Sequence, residues 1–128
     1  MLTFNLKKEW FEKIKSGEKT HEYRVQNKYW ISRIKNFMGW NSVKERLDYV
    51  IQYGEYFSYD IPVNTPYSRA CCFVCGYPKK DDKEKRVYGI VKNISANIDG
   101  RETDLEINEP VFDIEFELIK EQTNDNEL

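Results

Sequence analysis

The period of the apolar residues changes twice in the first 24 positions, and this switching limits what the chain can fold into. Leu2, Phe4 and Leu6 alternate with Thr3 and Asn5, the spacing of a half-buried strand. Over Lys7–Ser16 the spacing becomes helical: Trp10, Phe11 and Ile14 share a face, and Glu9 precedes Lys13 by four residues. Gly17 stands where a left-handed cap would end that helix, and from Thr20 the alternation returns. The junction, G-E-K-T-H-E-Y-R over Gly17–Arg24, puts a turn glycine, a lysine, a threonine, the single histidine, a glutamate and an arginine into eight positions. Short loops presented by rigid elements are where function concentrates.

Strand parity decides which of these side chains can cooperate. Thr20, Glu22 and Arg24 share one face, and His21 and Tyr23 the other. Lys19 joins Glu22 only if the chain is still turning at Glu18–Lys19; if the strand has begun there, it belongs with His21. A lysine beside a carboxylate can clamp a phosphate or carbonyl oxygen, while the carboxylate accepts from a base amino group or takes a proton. Arg24 offers a planar fork to an anion. The same residues read equally well as a surface ion pair worth at most about 1 kcal/mol. His21 has no nucleophile in a recognisable turn motif to serve, so it reads as a hydrogen-bonded histidine on a strand face.

Further along, Asn27 is placed to cap a short helix carrying Trp30, Ile31 and Ile34, with Arg33 and Lys35 exposed. Ser42-Val43-Lys44-Glu45 is a capping box ahead of a stripe of Val43, Leu47, Val50 and Ile51. Gly54–Tyr67 holds Tyr56, Phe57, Tyr59, Pro62 and Pro66 without periodicity and reads as an ordered aromatic loop. Arg69–Tyr77 reads as a central strand, joined through the charged turn Pro78–Lys85 to a strand over Arg86–Ser95. Asn97–Pro110 is polar, with a turn at Asp99-Gly100 and a short strand at Leu105 and Ile107. Phe112, Ile114, Phe116 and Leu118 then alternate with Asp113, Glu115 and Glu117 in the cleanest strand pattern of the chain. The expected fold is α+β: a small, strongly bent sheet or barrel of mainly antiparallel strands with flanking helices. One domain over 1–120 and a flexible tail over 121–128 complete this reading.

Charge is divided along the chain. Residues 1–46 hold 11 Lys and Arg against 5 Glu, whereas the rest hold 9 against 17 acidic residues. Such a chain can attract an anionic ligand locally without being basic enough to coat a long phosphate backbone. No charged leader and no apolar run of membrane-spanning length is present, so the chain reads as a soluble cytoplasmic protein with no membrane partner. Cys72 and Cys75 have the spacing of a metal pair, but on a strand they point to opposite faces and no second pair exists. The three cysteines therefore read as structural thiols, with no metal and no cofactor expected.

G-E-K-T-H-E-Y-R after a helix containing E-W-F-x-x-I, the C-G-Y-P turn and the closing V-F-D-I-E-F strand together resemble the ASCH domain, a branch of the PUA-like superfamily. The resemblance covers roughly 2–36 and 69–119, leaving 37–68 as an insertion. It implies a PUA-like pseudo-barrel with a cleft over Gly17–Arg24 and a ligand that is single-stranded RNA, a nucleotide or a nucleoside. The motif positions fall on Gly17, Lys19, Glu22 and Arg24, and the candidate binding set is Lys19, Thr20, Glu22, Arg24, Lys28, Trp30 and Arg33. One branch of the family deacylates N4-acetylcytidine with a lysine, a threonine three residues later and a distant glutamate. Here Glu22 stands where that threonine would be. An alternative reading is thus a hydrolase of a modified nucleoside, or a ribonuclease, with Lys19 and Glu22 as catalytic residues. A third reading is a phage or mobile-element module that binds a protein partner through its acidic face or its aromatic insertion.

Overall fold

The computed structural model describes residues 1–38, 57–60, 69–79, 82–97, 100–101 and 103–119. The chain opens with β1 (Leu2–Leu6), whose Leu2, Phe4 and Leu6 are buried while Thr3 and Asn5 are exposed. Helix α1 (Lys8–Lys15) buries Phe11 and Ile14. It ends as the glycine requires: Gly17 takes φ +88°, its N–H donates to Ile14 O at 3.0 Å, and Lys19 N donates back to Lys13 O at 3.0 Å. The chain is therefore still turning at Lys19, and β2 (His21–Val25) begins two residues later. Helix α2 (Lys28–Met38) is capped by Asn27, whose Oδ1 accepts from Trp30 N at 2.9 Å.

The remaining strands are β3 (Phe57–Asp60), β4 (Ala70–Cys75), β5 (Arg86–Asn97) and β6 (Val111–Leu118). They form a mixed sheet in the order β1-β4-β5-β6-β2, with β3 pairing β5 off this path. Only β1 and β4 run parallel; β4–β5, β5–β6, β2–β6 and β3–β5 are antiparallel. The first half of β5 pairs with β4 and its second half with β3, and the register shifts between Val91 and Asn93. The sheet curls into a half-barrel with the two helices against it. Its end strands face each other: Arg24 Nη2, from β2, donates to Asn5 O of β1 at 3.2 Å.

The concave side holds the core. Phe4 stacks on Trp30 at 5.3 Å and on Phe73 at 5.4 Å, and Phe73 meets Phe116 at 4.4 Å. Phe112, Ile114 and Phe116 are buried as the alternation in β6 requires. Cys71 points into this core and Cys72 to the opposite side of β4. Burial pushes the Cys71 thiol up to about 12.

Two expectations change. Phe57–Asp60, within the stretch read as an aromatic loop, is a strand, because the outer half of β5 extends past β4 and offers it a free edge. Leu105 and Ile107 do not form a strand; Ile107 makes a single bridge to Gly100, and Leu105 lies exposed in a turn. The helix read from Ser42, the rings of Trp40, Tyr49, Tyr53, Tyr56 and Tyr67, and the tail over 121–128 lie outside the described residues. Among the described residues no helix is long and apolar enough to cross a membrane.

Candidate ligand-binding cleft

Where the curled sheet fails to close, between β1 and β2, lies a cleft of ≈ 400 Å³. Asn5, Leu6 and Lys7 line one side and Tyr23 and Val25 the other; Trp10, Trp30, Asp104 and Leu105 complete the walls, above Glu22 and Arg24. Each element contributes through its own geometry. The capped turn after α1 throws Lys19 back over β2, and parity directs Glu22 and Arg24 inward.

Glu22 is the centre of the site. It is 6% exposed, which for a carboxylate requires compensation. Its Oε2 accepts from Arg24 Nη2 at 2.6 Å and Nε at 3.1 Å, and its Oε1 lies 3.4 Å from Lys19 Nζ. Lys19 Nζ also pairs with Asp104 Oδ2 and lies 5.5 Å from the Trp10 ring centroid and 5.1 Å from that of Tyr23. Burial lowers the Lys19 pKa below the ordinary lysine value, with Glu22 opposing the shift. The Arg24 guanidinium lies over Trp30 at 4.9 Å and Phe4 at 5.3 Å, so the core itself positions it. Two cations face two carboxylates, and the floor of the cleft carries no formal surplus of charge.

The opposite face of β2 is different. His21 Nδ1 lies 2.6 Å from Asp113 Oδ1, and its Nε2 is 4.0 Å from Glu115 Oε2. This is the hydrogen-bonded strand-face histidine read from the sequence. Burial raises the neighbouring Tyr23 phenol above its usual range, Asp113 adding to the effect.

Of the candidate residues, the structure brings together Lys19, Glu22, Arg24 and Trp30. Thr20 is not with them: it is exposed, and its carbonyl accepts from Phe116 N at 3.1 Å. Parity put Thr20 on the Glu22 face, but the strand has not begun at that residue. Lys28 is exposed on α2 and does not line the cleft, and Arg33 packs its guanidinium 4.7 Å from the Tyr29 ring outside it. Sequence reasoning missed Asp104 and assigned Trp10 only to the helix face. The loop carrying Asp104 is built on Gly100, where an added Cβ would come within 2.6 Å of Val111 Cγ1. Thr103 tightens it, with Oγ1 donating to Gly100 O at 2.7 Å. The Asp99-Gly100 turn signalled a loop, but nothing local in the sequence says that it packs over a lysine 85 residues away.

Among the described residues no group of three His, Cys, Asp or Glu is arranged to hold a metal ion. No protein-family model, curated protein or solved structure matches this chain.

Proposed function

We propose that this protein is an ASCH-type module of the PUA-like superfamily that holds one unpaired RNA base, or a free nucleotide, in the cleft between β1 and β2. The observation that carries this reading is the cleft's make-up: indole and aliphatic walls over a charge-balanced Lys19–Glu22–Arg24–Asp104 floor. A volume of ≈ 400 Å³ suits one small planar ligand rather than a folded partner. Aromatic walls hold bases at roughly 1–3 kcal/mol per stacked base. With the floor neutral, phosphate is left to the rim, where Lys7 is exposed. The resemblance in the Gly17–Arg24 motif supports the same ligand class.

Titration of short single-stranded RNAs and free nucleotides, followed by tryptophan fluorescence, tests the reading. Binding should saturate, fall with salt at a slope of about one to two because few phosphates are met, and weaken far more in Lys19→Ala than in Lys79→Ala. Equal losses at the two positions, or no binding to any ligand of the set, would count against it.

One observation favours a second reading. A lysine held below its ordinary pKa between two carboxylates is also equipped to move a proton. In a hydrolase of a modified nucleoside, Lys19 would orient the water that attacks an amide carbonyl, or take its proton and pass it to Glu22 Oε1 3.4 Å away, and Glu22 would deliver that proton to the leaving amine. Release of free cytidine from N4-acylcytidine tests this, and turnover that survives Glu22→Gln removes the mechanism.

A further inference from the structure

The cleft is bounded by two strand edges, and the hydrogen-bond phase of each can be read. Opposed residues of an antiparallel ladder alternate between pairs that exchange both main-chain bonds and pairs that exchange none. Phe116 N donates to Thr20 O at 3.1 Å, and Gln26 N donates to Pro110 O at 3.0 Å. With Glu22 opposite Ile114 and Arg24 opposite Phe112, the positions bonded to β6 are Glu22 and Arg24 within β2, in phase with Thr20 and Gln26 that flank it. The N–H and C=O of Tyr23 and Val25 therefore point away from β6, and β2 has no other neighbour among the described strands. On the facing edge Gly76 N donates to Leu6 O at 3.1 Å, which turns Leu6 toward β4 and Asn5 toward the gap. Asn5 O is the carbonyl that Arg24 reaches.

Unpaired strand edges are ordinarily covered or blunted. Here the Arg24 side chain spans the gap, and the main chain of Tyr23 and Val25 is left facing the cleft that both residues line. Tyr23 C=O and Val25 N–H are the successive outward acceptor and donor of one extended edge. Their complement is a planar group with a donor next to an acceptor, as the Watson–Crick edge of a nucleobase has.

Resting on the nucleotide-binding reading above, we infer that the ligand base is recognised along its Watson–Crick edge by the main chain of β2, through Tyr23 C=O and Val25 N–H. Side-chain substitutions leave this recognition in place, and only an unpaired base can reach it. An extended peptide could also pair with such an edge, but a gap spanned by the Arg24 side chain and a cleft of this size favour a single ring.

The test uses the full chain. Affinities of the four ribonucleosides are measured, and the tightest is compared with its derivative methylated on the Watson–Crick ring nitrogen (N3 of a pyrimidine, N1 of a purine) and with its 2′-O-methyl derivative. Edge methylation should weaken binding by at least about tenfold, since it removes one bond and leaves a main-chain partner unpaired. Methylation of the ribose should change it much less. Amide hydrogen exchange gives an independent readout: the Val25 N–H should exchange readily in the free protein and slow at saturation, whereas Glu22 and Arg24 N–H, bonded to β6, stay slow throughout. Tolerance of edge methylation, or a Val25 amide unaffected by saturating nucleoside, overturns this inference and leaves nucleotide binding standing. Binding by none of the nucleosides overturns both, whereas a Val25 amide protected by an added peptide and not by nucleoside overturns this inference alone.

Discussion

On the inward face of β2, Glu22 meets two cations at 6% exposure; one residue back, on the outward face, His21 meets Asp113 with 37% of its side chain open to water. Both clusters combine carboxylates with cationic or titratable partners at comparable distances, and parity alone separates them. Their surroundings make them different objects. The inward cluster is roofed by the Asp104 loop and backed by Phe4 and Trp30, so each of its charges depends on the others. The outward one is screened by solvent and depends on little. Ion pairs drawn from the same strand thus differ in energetic weight according to the face that carries them.

The sharpest way to break this comparison is Glu22→Ala. It leaves Lys19 and Arg24 partly buried without their shared carboxylate, and urea unfolding should register a loss of about 3–5 kcal/mol. A loss below about 1 kcal/mol would put the two faces on the same footing. Gly100→Ala asks whether the roof matters: the new Cβ collides with Val111, costing about 1–3 kcal/mol and displacing Asp104 from Lys19, which nucleotide titration of the variant would detect.

The inward side of β4 extends the contrast to pH. The Cys71 thiol, at about 12 in the folded chain against 9.0 when unfolded, keeps its proton longer in the native state. Stability should therefore decline as pH rises above 9, by about 1.4 kcal/mol per unit, until the folded thiol itself titrates near 12. Comparing alkaline unfolding of the wild type with Cys71→Ala isolates this contribution, and no difference in slope would contradict the assignment. The smallest effect is expected from Asp113→Asn on the outward face, less than about 1 kcal/mol in the same urea assay and no change in ligand affinity.

Much of the architecture was legible locally. The period changes over 2–24 located β1, α1 and β2, Asn27 announced α2, and the alternation in β6 identified its buried face, because each signal lies within a few residues of its effect. Strand β3 was not legible: four residues flanked by aperiodic sequence become a strand only when the overhanging edge of β5 is present. Within the site, Lys19 was legible as a condition rather than a position. The condition was met by a backbone bond from Lys19 to Lys13, an event of the helix end that Gly17 foreshadowed.

By itself, then, the sequence determined which side chains of β2 share a face, because a period of two is a property of the extended chain, and it determined that a tight turn precedes them, because Gly17 accepts a positive φ. Only the tertiary structure decided that Asp104 closes over Lys19, that Arg24 rests on Phe4 and Trp30, and that β1 and β2 stop short of pairing. Each of these is a contact between segments distant in the chain, set by how far the whole sheet curls rather than by any local preference.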